Sequence, residues 1–436
     1  MNAQPPPDRQ TIRAAQLDRL RALIGALTES NRFYCQTLAA AKVDRNIASL
    51  DQFTARMPVT TKPQLIDDQR THPPYGTNLT FDFDQYSRLS QTSATTDVPM
   101  RWIDTPQSWS WMLDNWAQVY EACGVTPSDR IFFAFSFGPF LGFWTAFESA
   151  ARLGCLCIPG GGMTSVARLA AILDNRATVL CCTPTYAIHL GQVAAKENID
   201  LRGGEVRSII VAGEPGGSVG ATRSTIEGFW PGARVYDHHG MTEVGPVSYQ
   251  CPKRPGILHI IEPAYLGEVV DPDSFASNPV GSGTVAPGET GELILTTLGR
   301  TACPLLRYRT GDSVRLGADE RCACGRSLTN LEGGILGRAD DMVLVRGVNV
   351  FPSGVDQVMR RRRGVAEYRV EVHRGDGLTE LKVQVEAEPE EPDIPALCRR
   401  LERDLRDAFQ IRVPVTAIDP DSLPRFEMKA RRWVFR

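Results

Sequence analysis

The feature that most constrains this chain is an alternation between residues 131 and 212. Apolar runs rich in β-branched and aromatic residues at 131–135, 155–159, 179–183 and 208–212 take turns with helix-like segments at 143–152, 164–175 and 185–197. Connections of that length and pattern suit crossover helices between parallel strands, not hairpins. The sequence therefore predicts an α/β fold around a parallel sheet.

Other segments read differently. Ile12, Leu17, Leu20, Leu23, Ile24 and Leu27 fall at helical spacing ahead of the sheet. Between 265 and 316 the pattern turns to short strands punctuated by Gly and Pro, which predicts an antiparallel β-subdomain. Beyond Arg338 come a strand near 343–346, a helix from Pro352, strands near 367–373 and 379–387, and a helix near 393–409. We expect two domains, 1–339 and a small α+β domain over 340–436. The acidic stretch 386–395 reads as a solvated loop, and the run Arg360–Arg363 as a solvated helix end.

Composition enters by exclusion. With 48 Lys+Arg against 51 Asp+Glu the net charge is −3, and the charges are interspersed. No single-sign field suggests nucleic acid or membrane as a partner. The longest uncharged stretches, 131–147 and 177–195, are broken by Gly, Pro, Ser, Thr and His and read as buried core, not membrane spans. The N-terminus MNAQPPPDRQ lacks the pattern of a cleavable signal, so a cytoplasmic location is expected. The 11 cysteines are then expected to be free or metal-bound, because a disulfide framework does not suit that setting.

Five segments carry the functional argument: TSATTDVP from Thr92, YDHHGMTEVGP from Tyr236, YRTGD from Tyr308, GRADDMVLVRGVNVFPS from Gly337 and LPRFEMKARR from Leu423. In this order and spacing the chain resembles the adenylate-forming superfamily, and within it phenylacetate-coenzyme A ligase and its relatives, through RGVNVFPS and CCTPTYA at 181–187. The resemblance implies a two-step reaction. A carboxylate attacks the α-phosphate of ATP to give an acyl-adenylate and pyrophosphate, and a thiol then displaces AMP. The first step brings two anions together, so catalysis must rest on positioning and positive charge.

Carried over to this chain, the resemblance places Mg²⁺ on Glu243, a hard carboxylate for a hard cation. It makes Asp312 the acceptor for the ribose hydroxyls and Arg338 their neighbour. The adenine turn falls on Gly213, Glu214 and Pro215, and the nucleotide strip on Asp237, His238, His239, Gly240, Met241 and Thr242. His239 stands where relatives usually have an aromatic ring, and reads equally as a stacking imidazole or a core histidine. Lys429, seven residues from the C-terminus, matches the lysine that bridges carboxylate and α-phosphate. Asp340 matches the hinge about which the small domain rotates, and Arg346 and Gly347 lie on the segment that relatives turn toward coenzyme A.

The phosphate loop departs from the family pattern TSGTTGKP. Ser93, Thr95 and Thr96 keep their hydroxyls, whereas Ala94, Asp97 and Val98 replace Gly, Gly and Lys. Either ATP binds in a modified way or adenylation is impaired. A second signal is Cys322 and Cys324 with Cys251 and His259, a set that would make a closed structural Zn²⁺ site, with Cys303 in reserve. For the acyl group, Phe135 and Phe140 in an aromatic stretch, Tyr186, and Gly240 form the candidate pocket. No Asp or Glu occurs between Ile131 and Phe147 to pair with an ammonium group. A neutral aromatic acid is therefore expected, with coenzyme A as acceptor. The rivals are a carrier-protein phosphopantetheine, or a degenerate nucleotide-binding homologue without ligase activity. A homodimer is compatible with the sequence.

Overall fold

The computed structural model describes residues 6–92, 99–275, 278–280, 283–318, 321–338, 343–345, 348–374, 379–425 and 431–436. A wholly parallel sheet forms with the four strands the alternation predicts, and a fifth strand, Arg234–Asp237, that the sequence reading did not mark extends it. Its strands lie in the order Leu156–Pro159, Arg130–Phe133, Val179–Cys182, Ser208–Val211 and Arg234–Asp237. The crossovers are the helices Leu141–Arg152, Ser165–Asp174, Pro184–Lys196 and Gly220–Phe229. Two of them start at Thr or Pro signals. Thr164 and Thr183 each accept a backbone N–H in their first turn, and Pro184 sits where a missing N–H costs nothing.

Alternation along the strands splits the packing. Ile131 and Phe133 join the core shared with the β-subdomain, while Phe132 joins the core under the helices Ser165–Asp174 and Pro184–Lys196. Cys181 and Cys182 divide the same way, as buried strand residues. The β-subdomain is a six-stranded antiparallel sheet formed by residues 248–338. An N-terminal helix, Arg9–Ser30, closes a further cluster with Leu20, Leu23, Ile24 and Leu27 against Leu266, Leu298 and Leu306.

Residues 343–415 supply a separate apolar core. A four-stranded mixed sheet there, with Val365–Arg374 antiparallel to Thr379–Ala387, packs on the helices Pro352–Arg361 and Ile394–Phe409. Two sequence readings are corrected here. Glu386 is not in a solvated loop but fully buried in a strand, where it accepts from Arg425. Arg360 is not a solvated helix end: its side chain is 5% exposed and it pairs with Glu367. Glu386 finds its partner 39 positions away and Arg360 only seven, across the turn into the next strand. Among the described residues no helix is long and apolar enough to cross a membrane.

Candidate active site

In an open parallel sheet, ligands gather at the carboxyl ends of the strands, where the loops leave. Here those ends lead into the aromatic stretch after Phe133, the glycines after Pro159, Thr183-Pro184, the turn 212–217 after Val211 and the segment HHGMTE after Asp237. One edge thus collects most of the motifs. Close approach is built in at the adenine turn: a Cβ on Gly217 would stand 2.5 Å from Asp237 Oδ1 and 2.6 Å from Val211. Glu214 accepts from the Thr185 N–H at 2.8 Å, which ties this turn to the neighbouring helix start.

Asp237 is buried, and burial pushes its carboxyl upward against a hydrogen bond from Ser218 Oγ at 2.5 Å. His238 packs against the Trp116 ring, centroids 4.3 Å apart and tilted by 49°, and donates from Nδ1 to the Ser248 carbonyl at 2.6 Å. Burial holds His238 at about 4, so it is neutral and structural. His239 faces the other way. Its Nε2 lies 3.0 Å from Asp312 Oδ2, and Arg338 Nη1 donates to Asp312 Oδ1 at 3.1 Å. The backbone sets this up, since Asp312 and Arg338 are cross-strand partners and Gly311, at φ +73°, leaves the room that Arg338 fills. His239 Nδ1 is buried without a partner among the described residues, a donor or acceptor left for a ligand.

Glu243 is 6% exposed. Lys62 Nζ stands 3.7 Å from its Oε1. The turn behind it is fixed by Arg300, whose Nη1 donates to the carbonyls of Thr242 at 2.7 Å and Glu243 at 2.8 Å. Arg300 in turn makes a bidentate pair with Asp104 at 2.8 and 2.6 Å, both side chains fully buried. Sequence reasoning missed Lys62, Arg300 and Asp104. Lys62 carried one signal: a cation in the first turn of the helix Lys62–Thr71 opposes the helix dipole, so something else must favour it.

Phe135 stacks on Phe143 at 4.1 Å, Phe140 meets Phe143 at 5.8 Å, and Phe137 packs on Trp144 and Phe147. The stretch abuts the strand that leads into TSATTDVP, because Gln91 donates its N–H to the Pro139 carbonyl at 2.7 Å. Glu148, the nearest acid along that helix, is engaged by Arg88 and Trp109. The structure does not bring Tyr186 to this group. It is buried in the core beneath the helices, with its hydroxyl 3.1 Å from Ser165 and the Arg168 guanidinium over its ring. Thr92 and Met100 bridge the feet of the phosphate loop. Ser93, Thr95, Thr96, Asp340, Arg346, Gly347 and Lys429 lie outside the described residues.

The cysteine set converges. The ligand atoms of Cys251, His259, Cys322 and Cys324 all lie within 4.8 Å of one another. Cys251 and Cys322 sulfurs are 3.6 Å apart, and Cys324 Sγ is 3.4 Å from His259 Nε2. Zinc at about 2.3 Å from sulfur and about 2.0 Å from nitrogen gives tetrahedral edges of about 3.8 and 3.5 Å, so the set fits that ion. Burial and the nearby Arg326 hold His259 at about 4, the neutral form a metal needs. Cys303 is elsewhere, donating to the Ile103 carbonyl at 3.1 Å.

Comparison with known proteins adds to this geometry. Residues 347–435 match the AMP-binding enzyme C-terminal domain. Over 441 residues the chain is 32% identical to phenylacetate-coenzyme A ligase of Thermus thermophilus, covering 96% of this chain and 95% of that one. Among solved structures it is similar to 2-hydroxyisobutyryl-CoA ligase in the postadenylation state with 2-HIB-AMP, with a TM-score of 0.92, 26% identity and coverage of 99% and 91%. Against the same ligase with 2-HIB-AMP and CoA in the thioesterification state the TM-score is 0.73, at 28% identity and coverage of 99% and 91%.

Proposed function

The chain belongs to the phenylacetate-coenzyme A ligase family of adenylate-forming enzymes, and from that premise we propose a substrate class and a division of labour among its residues. The reaction is ATP-dependent formation of an acyl-adenylate, followed by transfer of the acyl group to coenzyme A. The substrate is an aryl or arylalkyl carboxylate without an ammonium group. The observation that carries this is the aromatic cluster around Phe135, Phe140 and Phe143 beside the foot of the phosphate loop, with Glu148 already paired.

In the first step a carboxylate oxygen bonds to the α-phosphorus and the bond to pyrophosphate breaks. Asp312 takes the ribose hydroxyls as their acceptor, with His239 and Arg338 orienting it. His239 Nδ1 supplies the unpaired ring atom for the base. Glu243, held by the Arg300 scaffold, is the Mg²⁺ ligand, and the ion when bound neutralises phosphate oxygens. Lys429 reaches the carboxylate and α-phosphate from the small domain, 340–436, which turns about Asp340. In the second step the coenzyme A thiolate attacks the acyl carbon, AMP leaves, and the thiol proton goes to solvent. Arg346 and Gly347 line its approach. Cys251, His259, Cys322 and Cys324 hold a structural Zn²⁺ that pins two loops without touching substrate.

The test is mass-spectrometric detection of acyl-AMP and acyl-CoA with a panel of aromatic and aliphatic acids. Aromatic acids should give both products. Preference for short aliphatic acids would overturn the substrate class, and acylation of a carrier protein in place of coenzyme A would replace the acceptor.

A further inference from the structure

Lys429 can act only if the segment carrying it is firm and correctly docked. The described residues on either side of it, Arg425 and Arg432, are paired with buried carboxylates. Glu386, its side chain 1% exposed, accepts from Arg425 Nη2 at 2.6 Å and also takes the Leu423 N–H. Glu367 accepts from Arg432 Nε at 2.7 Å and Nη2 at 3.0 Å, and from Arg360 at 3.1 Å. Positions 425 and 432 stand four residues before and three after Lys429. The two glutamates face each other across the ladder. Left unpaired there they would repel, so the sheet depends on the two arginines that bracket the lysine. The Arg432 carbonyl, accepting from Val370 N at 2.7 Å, completes the grip.

One member of this network reaches out of the small domain. Asp356, on the helix Pro352–Arg361, accepts from Tyr368 at 2.7 Å and has Arg360 at 3.6 Å and Arg432 at 3.9 Å on the same oxygen. Its other oxygen accepts from Thr222 Oγ1 at 2.8 Å. Thr222 belongs to the helix Gly220–Phe229, just after the adenine turn, and is 2% exposed, so water does not compete for the bond. This hydroxyl connects the nucleotide side of the large domain to the arginine that anchors the lysine segment.

We propose that Thr222 is a positioning residue for adenylation: through Asp356 it docks the small domain in the orientation that delivers Lys429 to the α-phosphate. The inference rests on the role of Lys429 proposed above and deepens it. The overall arrangement is nearer to the postadenylation complex than to the thioesterification complex. A bond made in one orientation and absent from the other biases the balance between them. Losing it should therefore weaken only the step that needs this orientation.

Thr222→Val removes the donor at nearly constant volume, and Thr222→Ser retains it. Three readouts apply: single-turnover acyl-AMP formation, thioester formation from supplied acyl-AMP, and hydrogen–deuterium exchange over 352–361. In Thr222→Val, adenylation should fall about tenfold, the scale of one hydrogen bond to a charged group. Thioester formation should stay constant or rise, and exchange over 352–361 should increase. Thr222→Ser should restore all three. Equal slowing of both half-reactions, or no change in any readout, overturns the proposal. If the parent protein makes no acyl-AMP from any acid, the functional reading itself fails. Exchange then decides the docking role alone, and protection unchanged in Thr222→Val rejects it.

Discussion

Two buried sets of ion pairs, one in each half of the molecule, use the same chemistry for different ends. In the large domain, Asp104 and Arg300 are sealed from water and hold the carbonyls of Thr242 and Glu243. In the small domain, Glu367 and Glu386 hold Arg432 and Arg425 on either side of Lys429. The first set fixes a turn inside one rigid body. The second fixes Arg425 and Arg432 onto a small domain that, on the proposed mechanism, is carried to and from the cleft. A buried pair is weak evidence for stability as such, because desolvation offsets much of the attraction, but it is strong evidence of required geometry. On the proposed mechanism the geometry is static in one half and transported in the other.

The largest effect should come from breaking the static pair. Arg300→Met leaves Asp104 buried without its partner and should cost about 3–5 kcal/mol in urea unfolding. It should slow both half-reactions, since Glu243 loses its scaffold. A variant as stable as the parent would mean that Asp104 is hydrated or protonated. Lys429→Ala tests the transported half. Adenylation should drop by about 10²–10³-fold, the range seen when one transition-state donor is lost, while thioester formation from supplied acyl-AMP stays near the parent rate. Similar losses in both steps would reject the assignment.

The cysteine set sharpens the contrast, because a closed site belongs wholly to the static half. Purified protein should carry about one zinc per chain, and Cys322→Ser should lower Tm by several degrees with acyl-AMP formation within about twofold of the parent. Metal analysis finding none in protein never exposed to chelator would end the proposal. Acid should separate the halves again. His238 is held at about 4 against an ordinary 6.5, chiefly by burial, so its contribution to stability is complete above 6.5 and is lost as pH falls toward 4. For Glu367 burial pushes upward, but Arg360 and Arg432 outweigh it and hold the group at about 2 against 4.5. Its contribution is complete above 4.5 and fades only as pH falls toward 2. Hydrogen exchange between pH 6.5 and 4.5 should thus show the His238 region loosening before the Glu367 region, and the reverse order would contradict the comparison.

The smallest expected effect concerns the altered phosphate loop. Asp97→Gly with Val98→Lys removes a negative charge and adds a positive one near the β- and γ-phosphates. Coulomb terms of about 1–4 kcal/mol per close pair make a measurable fall in the KM for ATP the expected result. Thioester formation should not respond, since pyrophosphate has left. Unchanged ATP binding would mean that the loop does not meet phosphate as the resemblance implies.

The parallel sheet was legible in the sequence because apolar periodicity and helix-start signals are local. The strands and helices between 130 and 211 begin and end within a few residues of where those signals put them. The cysteine and histidine cluster was legible through residue type, and its convergence needed only two loops to meet. Other features had no local trace. Lys62 meets Glu243 from a helix far away in sequence, and Arg300 finds Asp104 across 196 positions. Glu386 read as a loop residue because its neighbours are acidic, yet a strand register and Arg425 bury it. Tyr186 sits in a likely-looking motif on the wrong face of the sheet, as the placement of Phe132 and Phe133 in opposite cores makes plain.

The sequence by itself determined which chemistry this chain carries and which segments form its layers, since hydrophobic period, turn residues and motif order act over short distances. The tertiary structure alone decided which carboxylates are paired, which cations face the cleft and how Thr222 meets Asp356. Those outcomes depend on long-range register and on burial, which sets whether a charge must find a partner at all.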